Sequence, residues 1–190
     1  MEFRELGKTG VKLPEIGLGT WQYSGGLEPL RKGVSLSAIL IDTAEMYGTE
    51  EIVGEAVKGQ RQQVFIATKV SGNHLRYDEV LRAAENSLKR LGTDYIDLFQ
   101  IHWPDPGVPL EETMRAMENL ADMGKIRFIG VSNFYFKNLA EAQACMAKHK
   151  IVSNQVKYSL LNRSIEEDTL AYCQENNITV IAYSPLDKGG

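Results

Sequence analysis

Short apolar runs recur along this chain, and nearly every one stops at a polar or small residue with chemistry of its own. The runs are Ile16 to Gly19, Ala38 to Ile41, Val64 to Ala67, Tyr95 to Ile101, Ile126 to Val131, Ile151 to Val156 and Ile178 to Ala182. They lead into Gly19-Thr20-Trp21, Asp42, Lys69, His102, Ser132-Asn133 and Tyr183-Ser184, and the sixth carries Gln155. Runs this short, rich in Ile and Val and barely interrupted, read as strands of a buried parallel sheet. Amphipathic helical patterns separate them: Tyr77 to Leu91, with Val80, Leu81, Ala84, Leu88 and Leu91 on one stripe, then Leu110 to Met123 and Ile165 to Glu175. Ser164 and Glu167 read as a capping box opening the last of these. Alternation of strand and helix makes the chain α/β and sets all-α and all-β folds aside.

The strand ends choose between the two common parallel architectures. An open doubly wound sheet gathers ligand contacts at one switch point. A barrel brings the C-terminal ends of all its strands around one mouth. From Asp42 onward the polar stops fall 23 to 33 residues apart, about one βα unit each. The expectation is a (β/α)8 barrel of the TIM type, with seven of its eight strands in these 190 residues and a single domain over 1–190. A β-hairpin precedes it: Phe3 to Leu6, a turn at Gly7-Lys8-Thr9-Gly10, then Val11 to Pro14. Gly17-Leu18-Gly19-Thr20-Trp21-Gln22 begins like a dinucleotide fingerprint. Its third glycine position is Gln22 and no helix opens on it, so a Rossmann reading is weak.

The charge balance narrows the function class. A net charge of -4 and a pI near 5.5 give no electrostatic footprint for nucleic acid or an anionic membrane, which leaves a small-molecule role. No apolar run reaches the length of a transmembrane helix, and the charged start Met1-Glu2-Phe3-Arg4-Glu5 lacks a signal-peptide pattern. Cys145 and Cys173 lie in helical patterns without metal-ligand spacing. They read as reduced residues of a cytoplasmic protein, and no metal is expected.

Asp42, Tyr47, Lys69 and His102 suit one kind of chemistry if they converge. A phenol with a pKa near ~10 is a poor proton donor at neutral pH, and an ammonium beside it favours the phenolate. Asp42 would hold Lys69 charged and in place, and His102 would donate to a carbonyl oxygen from the other side. Such a set delivers a proton to a developing alkoxide, as reduction of an aldehyde or ketone requires, while the hydride must come from a cofactor. Taken singly each residue has a plainer reading: a helix cap, a solvated lysine, a core histidine, a packing aromatic. Four of them at strand exits in sequence argue for the site. His74 and His149 are placed on the surface with no function.

The chain resembles the aldo-keto reductases in Ile16-Gly17-Leu18-Gly19-Thr20-Trp21, Asp42-Thr43-Ala44-Glu45-Met46-Tyr47-Gly48 and Ile66-Ala67-Thr68-Lys69-Val70. The resemblance continues in Tyr95 to Trp103, Gly130-Val131-Ser132-Asn133-Phe134 and Ala182-Tyr183-Ser184-Pro185-Leu186. It implies NADPH as cofactor, with NADH possible, and a small-molecule carbonyl substrate. Tyr47 is then the general acid, assisted by Lys69 and Asp42, with His102 orienting the carbonyl. Ser132, Asn133 and Gln155 bind the nicotinamide carboxamide, Tyr183 stacks on the ring, and Ser184 and Leu186 cover the pyrophosphate. Gly19, Thr20, Trp21 and Asp42 complete the expected cofactor contacts, and Trp21, Tyr23, Trp103 and Phe134 wall the substrate pocket.

Two further readings stand beside the reductase: a binding module that keeps the cofactor with little turnover, and an inactive fragment. A barrel of this type takes eight strands and roughly 250 residues, and the resemblance places an eighth strand and the grip on the adenosine 2′-phosphate beyond Gly190. The expectation is a partial record of a longer protein. A chain truly ending at Gly190 would carry two unpaired strand edges and self-associate.

Overall fold

The computed structural model describes residues 1–187. Strands β1 (Phe3–Glu5) and β2 (Lys12–Pro14) form the antiparallel hairpin, its turn held by the Leu6 N–H to Val11 O bond. Seven parallel strands follow: β3 (Leu18–Gly19), β4 (Leu40–Asp42), β5 (Phe65–Val70), β6 (Ile96–Ile101), β7 (Ile126–Ser132), β8 (Ile151–Lys157) and β9 (Thr179–Tyr183). Each pairs with its neighbours in the sequence, in the order β3-β4-β5-β6-β7-β8-β9. Helices α1 (Leu27–Ser35), α2 (Glu50–Ala56), α3 (Tyr77–Leu91), α4 (Leu110–Asp122), α5 (Phe136–Ala144) and α6 (Thr169–Glu175) make the crossovers. The result is a curled parallel sheet with helices outside it, a TIM-type barrel that is incomplete.

Strand parity builds the interior. Alternate side chains of a strand point to opposite faces. Ile41, Ile66, Val70, Phe99, Ile101, Ile129 and Val131 face the helices and join Val80, Leu88, Met114, Met117 and Leu139 in the outer core. The other parity gives a smaller inner cluster, Leu40, Phe65, Ala67, Leu98 and Val152, over which the hairpin sets Leu6 and Leu13. Further along the strands the inner face turns polar: Asp42, Lys69 and Gln100 come two residues after Leu40, Ala67 and Leu98. Ser132, Gln155 and Tyr183 stand at the same end, Gln155 three residues past Val152 because the β7–β8 register shifts at Ile129/Gly130. An apolar floor thus lies beneath a polar mouth. The hairpin is tied on from below, the Gly7 N–H donating to Thr179 Oγ1 at 2.7 Å.

The helix expected over Ile165 to Glu175 is broken. Ser164–Glu166 form a single 3-10 turn, and α6 starts only at Thr169. The Ser164–Glu167 capping box does not form, since Ser164 Oγ donates to Asn162 Oδ1. Ile165 and Thr169 are both buried, and Thr169 Oγ1 accepts the Phe136 N–H of α5 at 3.0 Å. That tertiary bond sets where α6 begins, and Asp168, at φ -151°, breaks the helix just before it.

Candidate active site

The first three contributors come from adjacent strand exits. Asp42 ends β4, Lys69 is the penultimate residue of β5, and His102 follows β6 directly. Tyr47 comes from a 3-10 turn, Glu45–Tyr47, closed by Gly48 in the left-handed region at φ 67°. Lys69 is completely buried; its Nζ donates to Asp42 Oδ1 at 2.5 Å and to Thr43 O at 2.9 Å. The Tyr47 hydroxyl lies 3.5 Å from Lys69 Nζ and 3.5 Å from His102 Nε2. Asp42 Oδ2 is held from the other side by the amide of Gln155 at 2.8 Å and that of Gln100 at 3.4 Å.

Lys69 does not lower the Tyr47 phenol as expected. Burial, and after it the negative charge of Asp42, push the phenol well above the ordinary tyrosine value. The reason is geometric, because Lys69 spends its shortest contacts on Asp42 and Thr43 O and its charge is largely offset before it reaches Tyr47. His102 moves the other way, lowered to about 4 by burial and then by the Lys69 charge. At neutral pH the site therefore holds a protonated phenol and an uncharged imidazole.

A cavity of about 1130 Å³ opens above these groups and runs down to the hairpin along the free edge of β9. Gly19, Trp21, Asp42, Tyr47, His102, Trp103, Ser132, Asn133, Gln155, Tyr183 and Ser184 all border it. Ser132 Oγ donates to Gln155 O at 2.8 Å, and Asn133 Nδ2 donates to His102 O at 2.9 Å. The Tyr183 hydroxyl donates to Asn133 Oδ1 at 3.0 Å. Trp21 and Trp103 pack on Tyr47 and His102, with ring centroids 5.1 and 4.3 Å apart.

Five expected site residues do not border this cavity: Lys69 is buried behind Asp42 and Tyr47, and four others lie away from it. Phe134 is fully buried in the outer core, because Asn133 takes a left-handed conformation at φ 59° and turns the chain outward beneath α5. Tyr23 packs on the outer core as well, its hydroxyl donating to Gly26 O at 2.7 Å. Thr20 is buried and braces the end of β4, its Oγ1 donating to Asp42 O at 3.0 Å. Leu186 projects into solvent, 83% exposed. Gln100 and Thr43, which hold Asp42 and Lys69, were not among the expected site residues. A glutamine inside the apolar run Ile96 to Ile101 is the signal that marks the first, since an unpaired polar side chain has no place in a buried strand. A backbone carbonyl such as that of Thr43 leaves no such mark.

The chain belongs to the aldo/keto reductase family, whose family model matches residues 15–190. It is 42% identical over 212 aligned residues to the aldo-keto reductase YhdN of Bacillus subtilis, covering 100% of this chain and 63% of that protein. It is 42% identical over 190 residues to the methylglyoxal reductase YeaE of Escherichia coli, covering 95% of this chain and 66% of that one. Among solved structures, an aldo/keto reductase from Klebsiella pneumoniae in complex with NADP and acetate superposes with a TM-score of 0.89 at 42% identity. The match covers 97% of this chain and 68% of the other. The chain thus spans about two thirds of the length of these relatives.

Proposed function

We propose that the protein containing these residues reduces an aldehyde or ketone with NADPH, and that Tyr47 delivers the proton. The observation that carries this reading is the Tyr47 hydroxyl at the cavity wall, 3.5 Å from both the Lys69 ammonium and the His102 ring. A phenol kept protonated by burial is in the form a donor needs. The alkoxide left after hydride addition is a stronger base than a phenolate, so transfer from Tyr47 runs downhill. Lys69, 3.5 Å from the phenol and held there by Asp42, is the cation facing the charge left on it, its effect reduced by Asp42.

Uncharged His102 has a single ring N–H. Its Nδ1 is buried with no partner, and a buried lone pair costs less than a buried unpaired N–H. The proton therefore belongs on Nε2, on the side of the Tyr47 hydroxyl, where it holds the substrate oxygen. Bound reduced nicotinamide would supply the hydride. The residues present fit its carboxamide: Gln155 Nε2 and Asn133 Oδ1, each with one partner in the site, keep a further hydrogen and a further lone pair to offer on one wall, beside the half-exposed ring of Tyr183. NADPH is preferred over NADH on the strength of the NADP-bound Klebsiella neighbour. The aromatic rim of Trp21 and Trp103 favours apolar or aromatic carbonyl compounds, and the name of the Escherichia relative adds methylglyoxal as a compound to test. Two unpaired cysteines agree with a cytoplasmic setting.

The test is NADPH fluorescence quenching and turnover of an aromatic aldehyde by the chain and its Tyr47→Phe variant. Loss of the acid should lower kcat by about 10²- to 10⁴-fold with cofactor binding retained. Turnover that survives the substitution removes Tyr47 from its role. The free edge of β9 along the cavity favours a second reading, a fragment that holds the site without using it, and a parent chain that binds no NADPH would select that one.

A further inference from the structure

The loop Ser71–His74 leads from β5 toward α3, and both sides of the site lean on it. Glu45 opens the turn that carries Tyr47, yet its carboxylate faces this loop. Its Oε2 accepts the Ser71 N–H at 2.9 Å and its Oε1 lies 2.9 Å from His74 Nδ1. On the other side Gly72 sits against Trp103, so closely that a Cβ there would overlap the indole at Nε1 and Cδ1. Trp103 packs in turn on His102. The path from Tyr47 through Glu45, the loop and Trp103 to His102 thus closes on the 3.5 Å gap between the Tyr47 hydroxyl and His102 Nε2.

The turn needs an anchor of this kind. Its single internal backbone bond runs from the Tyr47 N–H to Ala44 O, and its residues are at most half-buried, with Met46 exposed. Apart from the 3.5 Å contact of the Tyr47 hydroxyl with Lys69 Nζ, the Glu45 carboxylate ties the turn across to the end of β5. We propose that Glu45 and Gly72 make the Ser71–His74 loop a bracket that sets the spacing between Tyr47 and His102. Glu45 is a positioning residue for the proton donor, and Gly72 is one for the histidine. The inference rests on the roles proposed above for Tyr47 and His102. Loosening the turn removes alignment of the acid while the cavity lining supplied by the strand ends stays in place. Adding a methyl at position 72 displaces the indole, and with it the wall and His102.

The test uses the 190-residue chain labelled with ¹⁵N and with ¹³Cζ tyrosine. In Glu45→Ala the amides of Ser71 and Tyr47 should exchange about tenfold faster or more while β5 keeps its protection. The Tyr47 ¹³Cζ signal should begin to titrate between about pH 9 and 11, where burial keeps it silent in the parent. Glu45→Gln keeps an acceptor for the Ser71 N–H and should restore the slow Tyr47 amide. Gly72→Ala should shift the Trp103 indole N–H and the His102 ring signals, and it tests that arm of the bracket even if Glu45→Ala fails to fold. Faster exchange at Ser71 with Tyr47 unchanged in both exchange and titration overturns the Glu45 arm. Unmoved His102 signals in Gly72→Ala overturn the other. In a chain that turns over, Glu45→Ala should lower kcat about ten- to a hundredfold at near-parent KM. Turnover surviving Tyr47→Phe would instead strike the acid assignment, while the exchange data still decide the bracket.

Discussion

At the scale of single residues, His102 is the group whose chemistry and stability are most tightly linked. Its folded value near 4 lies below the ordinary histidine value of 6.5. Between those two pH values the unfolded chain takes up a proton that the folded chain refuses. Stability therefore falls as the pH drops through this window and levels off below about 4. A His102→Asn variant removes the effect. Urea midpoints at pH 7 and pH 4.5 should show the parent losing on the order of 2 kcal/mol more than the variant on acidification. Equal losses would mean that the imidazole titrates freely. That Asp42, Lys69 and His102 stand together was legible, because each falls at the end of a largely apolar run. The direction of the Tyr47 shift was not legible: it depends on Lys69 lying nearer to Asp42 than to the phenol, a matter of ångströms that spacing in the sequence does not carry. Phe134 was misplaced for a similar reason, since one left-handed residue before it reverses the face on which it lands.

Among the elements, β6 carries the most demanding polar group away from the site. Asp97, 1% exposed, accepts the Ile66 N–H of β5 at 2.9 Å and pairs with Arg61 at 2.8 Å and Arg127 at 2.7 Å. It knits the start of β6 to the strands on both sides. Removing the carboxylate leaves the buried Ile66 N–H without its acceptor and takes from Arg61 its ion partner, while the half-exposed Arg127 can turn to water. Asp97→Ala should therefore cost about 1–3 kcal/mol in a denaturant titration. A change below about 1 kcal/mol would mean that water replaces the carboxylate. Element existence was legible wherever one periodicity dominated. The stripe Val80-Ala84-Leu88-Leu91 yields α3 with the bounds expected, and the mostly apolar runs Val64 to Ala67 and Tyr95 to Ile101 yield β5 and β6. The break before α6 was not, because a local capping pattern lost to a bond between Thr169 and the distant Phe136.

For the whole molecule the governing feature is the seam between β3 and β9, the two ends of the sheet order. Parallel strands with unpaired edges invite further pairing. The 190-residue chain expressed by itself should associate with rising concentration in sedimentation velocity. Fusing to it the C-terminal region of the Bacillus relative should suppress that association and raise the melting temperature. A chain that stays monomeric at high concentration without the fusion would show that the seam protects itself. The barrel class could be read from the sequence because polar stops recurred once per βα unit, a regularity that only closure around a common mouth explains.

Because each strand pairs with the one made just before it, the polypeptide leaving a ribosome acquires its chemistry in instalments. The groups that handle the proton come from β4 to β6 and stand together once His102 has emerged. Most of the groups proposed for the cofactor, Ser132, Asn133, Gln155, Tyr183 and Ser184, come from β7 to β9 or just beyond and arrive later. The two halves of the proposed reaction would thus be written largely in consecutive stretches of the gene. A recombination event between residues 102 and 126 would exchange most of the proposed nucleotide seat, and with it Gln155, which holds Asp42, while leaving Tyr47, Lys69 and His102 in place.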